Sequence, residues 1–153
     1  MSLIPLTTVA RALRQPPGRI WDALADPEAR VAWIPGLLAV APPPGAPSAP
    51  TSWVETRTRF GHPEAEQVTV GSDGAEAGRL VLYVHPHAEA TPSGRFRSTW
   101  HVEPHEVGSR VTITLEAGHL SRKMSVLVRF LAEAWGRQTE AELDALEAWL
   151  SPV

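Results

Sequence analysis

The chain has 153 residues, of which 43% are hydrophobic and 20% charged, and its formal net charge is −3. That length predicts one domain able to bury a core without staples, and the absence of cysteine excludes disulfides and thiolate chemistry. The slightly acidic balance lacks the basic bias that phosphate-backbone binding needs, so nucleic acid is not an expected partner. No run approaches the roughly eighteen apolar residues of a membrane span, so stable membrane insertion is not expected either. Without a basic segment followed by an apolar core at the amino terminus, the expected location is the cytoplasm.

Leu3 to Arg14 is apolar and threonine-containing and is closed by Pro16-Pro17, which predicts a first strand with Pro5 near its start or on an edge. Pro17 suits a first helical position, and Ile20, Trp21 and Leu24 then share one face of a short helix ending near Ala25. Asp26 is a good N-cap, Pro27 a good first residue and Glu28 an acid near the positive helix end. A second short helix is therefore predicted to run to about Trp33, where Pro35-Gly36 breaks it. Leu37 to Ala41 reads as a short strand, and the Pro, Ala, Gly and Ser stretch from Pro42 to Pro50 as a solvated loop.

Five strands are predicted next: Trp53 to Phe60, Glu64 to Val70, Arg79 to His85, Arg95 to Glu103 and Arg110 to Glu116. Gly61-His62-Pro63, Ser72-Asp73-Gly74, Thr91-Pro92-Ser93-Gly94 and Val107-Gly108-Ser109 separate them, and an antiparallel meander is the simplest topology. Two strands alternate cleanly. Phe96, Ser98, Trp100 and Val102 oppose Arg97, Thr99, His101 and Glu103, and Val111, Ile113 and Leu115 oppose Arg110, Thr112, Thr114 and Glu116.

The remainder, Ser121 to Leu150, reads as one long amphipathic helix. Val128, Leu131, Trp135, Thr139, Leu143, Leu146 and Leu150 form its buried stripe, and Arg129, Glu133, Arg137, Glu140, Asp144 and Glu147 its wet face. Ser151-Pro152 ends it. At about 1.5 Å per residue the helix is long enough to lie across a whole sheet.

The segment from Gln15 to Glu28, followed by Trp33-Ile34-Pro35-Gly36, resembles the amino-terminal signature of the polyketide cyclase/dehydrase group within the START-like (SRPBCC) superfamily. Trp100-His101-Val102-Glu103-Pro104 leading into Gly108-Ser109-Arg110-Val111-Thr112 is similar to that family's penultimate hairpin, and the terminal helix to its gripping helix. The resemblance covers essentially the full chain. It implies an α+β helix-grip fold, a curved antiparallel sheet of six to seven strands wrapped around the long helix with an apolar cavity between them. The superfamily holds lipid carriers, quinone-binding proteins, cyclases and co-chaperone-like domains, so the resemblance does not name a reaction.

Strand parity selects the candidate ligand-binding residues. On the strand Trp53 to Phe60, burying Glu55, Arg57 and Arg59 would cost more than exposing one Trp, so Val54, Thr56, Thr58 and Phe60 are the expected inner face. Thr56 and Thr58 then line the cavity or serve as β-branched packing. Glu66 shares parity with Val68 and Val70 and, if inward, is an ionisable group with acid/base potential; otherwise it sits in water at a strand start. Leu80, Leu82 and Val84 are the expected inward set of their strand, with Tyr83 and His85 outward. A one-residue slip would make those two an acid/base pair.

Phe96, Ser98, Trp100, Leu131, Trp135 and Thr139 complete the lining, and Trp33 closes one end; the aromatic groups either hold a flat apolar ligand or fill core. The lining so drawn has no group that must titrate between pH 5 and 8, apart from Glu66. His85-Pro86-His87 with His101 and His105 is read as strand-end histidines in preference to a zinc site, and no cofactor motif stands out. The expected activity is binding, or transport, of a lipid-like or polycyclic hydrophobic molecule. A cyclase or aromatase with an acid/base in the cavity is the alternative and a co-chaperone-like interaction domain a further one; homodimerisation is left open.

Overall fold

A computed structural model describes residues 4–41, 52–59, 62–70, 80–86, 95–118 and 122–151. The elements in chain order are β1 (Ile4–Leu13), α1 (Pro17–Ala25), α2 (Pro27–Trp33), β2 (Leu37–Ala41), β3 (Ser52–Arg59), β4 (His62–Val70), β5 (Leu80–Pro86), β6 (Arg95–His105), β7 (Gly108–Gly118) and α3 (Arg122–Leu150). The seven strands form one antiparallel sheet in the order β1-β7-β6-β5-β4-β3-β2. The meander thus runs from β2 to β7, and β1 closes on the far side of β7. The loop segment Pro42 to Pro50 and the residues Phe60 and Gly61 lie outside the described residues.

The punctuation of the sequence acts where its chemistry predicts. Pro17 opens α1, and the Asp26 carboxylate accepts the Glu28 N–H at 3.0 Å as the N-cap of α2, whose first residue is Pro27. Gly36 takes the left-handed φ of 77° that turns the chain into β2. At the other end of α3, the Ser151 hydroxyl donates to the Glu147 carbonyl at 2.7 Å. His62 and Pro63, expected in the turn before β4, instead continue that strand, with Pro63 opposite Thr58.

The core joins Leu13 of β1, Ile20 and Leu24 of α1, Trp33 of α2 and Trp53 and Val68 of β3 and β4. Trp100 and Val102 of β6, Val111 and Ile113 of β7, and Leu143, Leu146 and Leu150 of α3 belong to it as well, as do Ala23, Ile34 and Leu37. One corner is closed by polar bonds. The buried Ser109 hydroxyl donates to the Gln15 carbonyl at 2.7 Å, and the Gln15 amide donates to the Leu150 carbonyl at 3.3 Å, so the ends of β1 and α3 meet the β6–β7 hairpin. Gly108 belongs to the same corner. At φ 143°, a Cβ there would lie 2.6 Å from the Arg14 carbonyl, so only glycine lets the hairpin approach the backbone after β1.

Candidate ligand-binding site

From Ser98 onward on β6, and along β7, the alternations place their apolar residues as predicted. Ser98, Trp100 and Val102 are buried on β6, and Val111, Ile113, Leu115 and Ala117 on β7. Trp100 meets Trp33 edge-on, with ring centroids 6.3 Å apart and planes at 67°. The Trp33 indole N–H donates to the Ala23 carbonyl at 2.9 Å, so α1 and α2 hold this ring against the sheet and its polar edge is already bonded.

On β3 the structure reverses the sequence-based expectation. Trp53, Glu55 and Arg57 are buried, whereas Val54 and Thr56 are half-buried and Thr58 is exposed. The penalty that argued against this face applies to unpaired charge, and these charges are paired. Glu55 receives Arg30 Nε and, at 3.0 Å, Arg30 Nη2, a two-pronged pair between β3 and α2. The Trp53 indole also donates to Glu55 at 3.0 Å, and Arg30 gives its third bond to the Leu24 carbonyl at 3.1 Å. Arg30 additionally lies 5.7 Å from the centre of the Trp53 ring. Burial pushes the Glu55 pKa up, but the Arg30 charge and hydrogen bonds, with those of Trp53 and the charge of Arg57, bring it below the ordinary glutamate value. Glu55 is therefore a carboxylate, fixed and committed.

Arg57 reaches the other way. Its Nη2 donates to Glu142 of α3, tying the sheet to the helix, and both side chains are buried. Arg57 Nε is also buried and, among the described residues, has no hydrogen-bond partner. Sequence reasoning passes over Glu142 because it weighs the charge and not the position. Glu142 lies three residues after Thr139 and four before Leu146, within the buried stripe, and all three are buried. Glu66 is buried too, as its parity with Val68 requires, and stands opposite Glu55 in the β3–β4 register.

The phase of α3 is as the stripe predicts, since Thr139, Leu143, Leu146 and Leu150 are buried and the wet face from Arg129 to Glu147 is exposed. Its two halves differ. Val128 and Trp135 are only half-buried, and Val126, Leu127 and Phe130 are exposed. Arg11 of β1 clips the wet face of the second half, donating to Asp144 at 2.7 Å and pairing with Glu140 and Glu147. Partial burial lowers the Arg11 pKa, and the bonds to Asp144 and Glu140 more than reverse that. Between β1 and the middle of α3 an open groove of about 570 Å³ is lined by Thr7 and Val9, by the small residues Ala132, Gly136 and Ala141, and by the charged residues Glu133, Arg137, Glu140 and Asp144.

Of the predicted lining residues, Trp33, Glu66, Ser98, Trp100 and Thr139 are therefore buried and Trp135 half-buried, while Thr56 and Thr58 leave the inner face. The side chains of Leu82, Phe96, Leu131, Tyr83 and His85 lie outside the described residues; by backbone register Leu82 is opposite Trp100 and Tyr83 opposite Thr99. His87 is likewise outside them. His101 Nδ1 lies 3.1 Å from Glu103 on its own strand, and His105 Nδ1 accepts the Val107 N–H at 3.3 Å. Among the described residues no three His, Asp or Glu side chains gather as a metal-binding group.

A search of curated proteins found no match. Solved structures match along nearly the whole chain. A protein from Thermus thermophilus superposes with a TM-score of 0.67 at 17% identity, covering 98% of this chain and 100% of that one. A START superfamily protein from Mycobacterium smegmatis gives 0.73 at 11% identity, with 95% and 97% covered. A STAR-related lipid transfer protein from Xanthomonas axonopodis gives 0.63 at 15% identity, with 94% and 84% covered. These identities speak to the fold alone, which is the helix-grip arrangement of sheet and terminal helix. The sequence model that matches residues 7–150 is that of polyketide cyclase/dehydrase and lipid transport proteins, and the chain belongs to that family.

Proposed function

We propose that this domain binds a lipid-like or polycyclic small molecule between the sheet and α3, and that the ligand carries a neutral oxygen, a carbonyl or hydroxyl, that accepts from Arg57 Nε. The observation that carries this reading is that donor, buried and, among the described residues, without a partner, on a side chain that also reaches α3. A buried N–H left unbonded costs about 1 to 3 kcal/mol, and a ligand oxygen would recover it. The charge of Arg57 is already balanced by Glu142, so a second carboxylate would be poorly compensated and a neutral acceptor fits better. Trp100 and Trp135 supply flat apolar surface from the sheet and the helix stripe, and Thr139 a hydroxyl.

Native mass spectrometry of freshly purified protein identifies what copurifies, and paired probes test the chemistry. A polycyclic ketone should bind roughly tenfold more tightly than the hydrocarbon of the same shape, as a hydrogen bond to a charged donor implies. The double variant Arg57→Met/Glu142→Gln, which leaves no unpaired charge, should erase that preference while still binding the hydrocarbon. Equal affinity of the wild type for ketone and hydrocarbon refutes the assignment. The cyclase reading draws on buried Glu66, whose residue stands opposite the committed Glu55 in register. Turnover of a poly-β-ketone analogue that Glu66→Gln abolishes would establish it.

A further inference from the structure

The first half of α3 contradicts the rest of the helix. Val126, Leu127 and Phe130 are exposed by 83%, 49% and 65%, a cluster of large apolar side chains on two successive turns. At about 100° per residue they span one arc of the helix, and the exposed Arg122 and Arg129 lie beside that arc. Lys123 occupies the same turns, and no acidic residue occurs between Arg122 and Ala132. From Glu133 onward the balance inverts, with Glu133, Glu140, Glu142, Asp144 and Glu147 against Arg137 alone. A protein of net charge −3 thus concentrates cations around the most exposed apolar cluster among its described residues and acids at the opposite end of the same helix.

We infer that the first three turns of α3 dock reversibly on an anionic lipid surface, with Val126, Leu127 and Phe130 entering the headgroup boundary and Arg122 and Arg129 meeting lipid phosphates. An apolar arc bordered along one side by cations is what an interfacial helix presents, and the charge gradient along α3 orients the domain with its acidic end away from the membrane. No helix among the described residues is long and apolar enough to cross a membrane, so the contact is peripheral. The inference stands independently of the ligand proposed above.

Cosedimentation of the full chain with phosphatidylcholine vesicles, with and without phosphatidylserine, tests it. The protein should bind the phosphatidylserine vesicles and lose most of that binding in high salt. Arg122→Glu with Arg129→Glu should weaken partitioning at least about twentyfold, at about fivefold per cation lost. Phe130→Ser, on an exposed side chain that the fold does not need, should weaken it about tenfold, while Trp149→Ser at the far end of α3 should not. Circular dichroism checks that each variant is folded. Failure of the wild type to bind phosphatidylserine vesicles, or unchanged binding by folded Phe130→Ser, overturns the inference. So does a wild-type dimer in sedimentation that Phe130→Ser dissociates, since the patch would then be covered by a second copy.

Discussion

Arg30 and Glu55 are both almost wholly buried, and two parallel bonds make each the principal partner of the other. Removing Arg30 alone, as in Arg30→Met, strands a carboxylate in the core and should cost about 3 to 5 kcal/mol in urea denaturation. Arg30→Met with Glu55→Gln should recover much of that loss, because two apolar or neutral groups of similar volume need no mutual charge. The depressed pKa of Glu55 also sets a direction in pH. Its folded pKa lies below its unfolded one, so its contribution is complete above the ordinary glutamate value of about 4.5 and is lost as pH falls through the folded value. Glu55→Gln should accordingly flatten the fall of stability below about pH 4.5, measured by denaturation at stepped pH. These residues also mark where the sequence ceased to be legible. Trp53, Glu55 and Arg57 alternate as a buried face, yet the partners of the two charges are Arg30 and Glu142, far away in the chain. Parity arguments weigh each charge alone, and only the fold reveals that the charges are shared.

At the scale of the elements, α3 joins two different environments. Its second half is anchored by Leu143, Leu146 and Leu150 in the core, and its first half carries half-buried or exposed apolar residues. Trp33→Ala removes a buried ring, its bond to Ala23 and its contact with Trp100, and should cost about 3 to 5 kcal/mol by chemical denaturation. Trp135→Ala, at a half-buried position, should cost distinctly less. Gly136 gives the opposite sign. A Cβ there meets no atom within 4 Å, because it enters the groove beside β1, so Gly136→Ala should raise stability by about 0.5 to 1 kcal/mol through helix propensity. Element positions were legible in the sequence, since Pro17, Asp26-Pro27-Glu28 and the period-two runs of β6 and β7 act locally. The phase of α3 was legible for the same reason. How far its apolar stripe is covered was not, because that depends on which strands lie beneath each turn.

For the molecule as a whole, the sheet order puts the first strand beside the last, with Ile4 opposite Ala117 and Leu13 opposite Ser109. Gly108 permits this closure, and Gly108→Ala should cost several kcal/mol, roughly 2 to 4, since both its φ and the 2.6 Å approach to Arg14 forbid a side chain. Thermal melting of that variant, set beside the stabilised Gly136→Ala, separates a glycine required by the fold from one that is not.

The pairing of β1 with β7 has a consequence for how the protein is made. A ribosome releases Ile4 long before Ala117, so throughout most of synthesis β1 has no neighbour and Leu13 no core to enter. The nascent chain can build the meander from β2 onward, but β1 waits for a partner strand that is translated last of the seven, and α3 emerges later still. Closing such a long loop delays folding until β7 has been translated, and meanwhile leaves the edge of β1 without its partner strand. Refolding of the full chain should accordingly be slow for its size, and a stopped-flow refolding time course measures it.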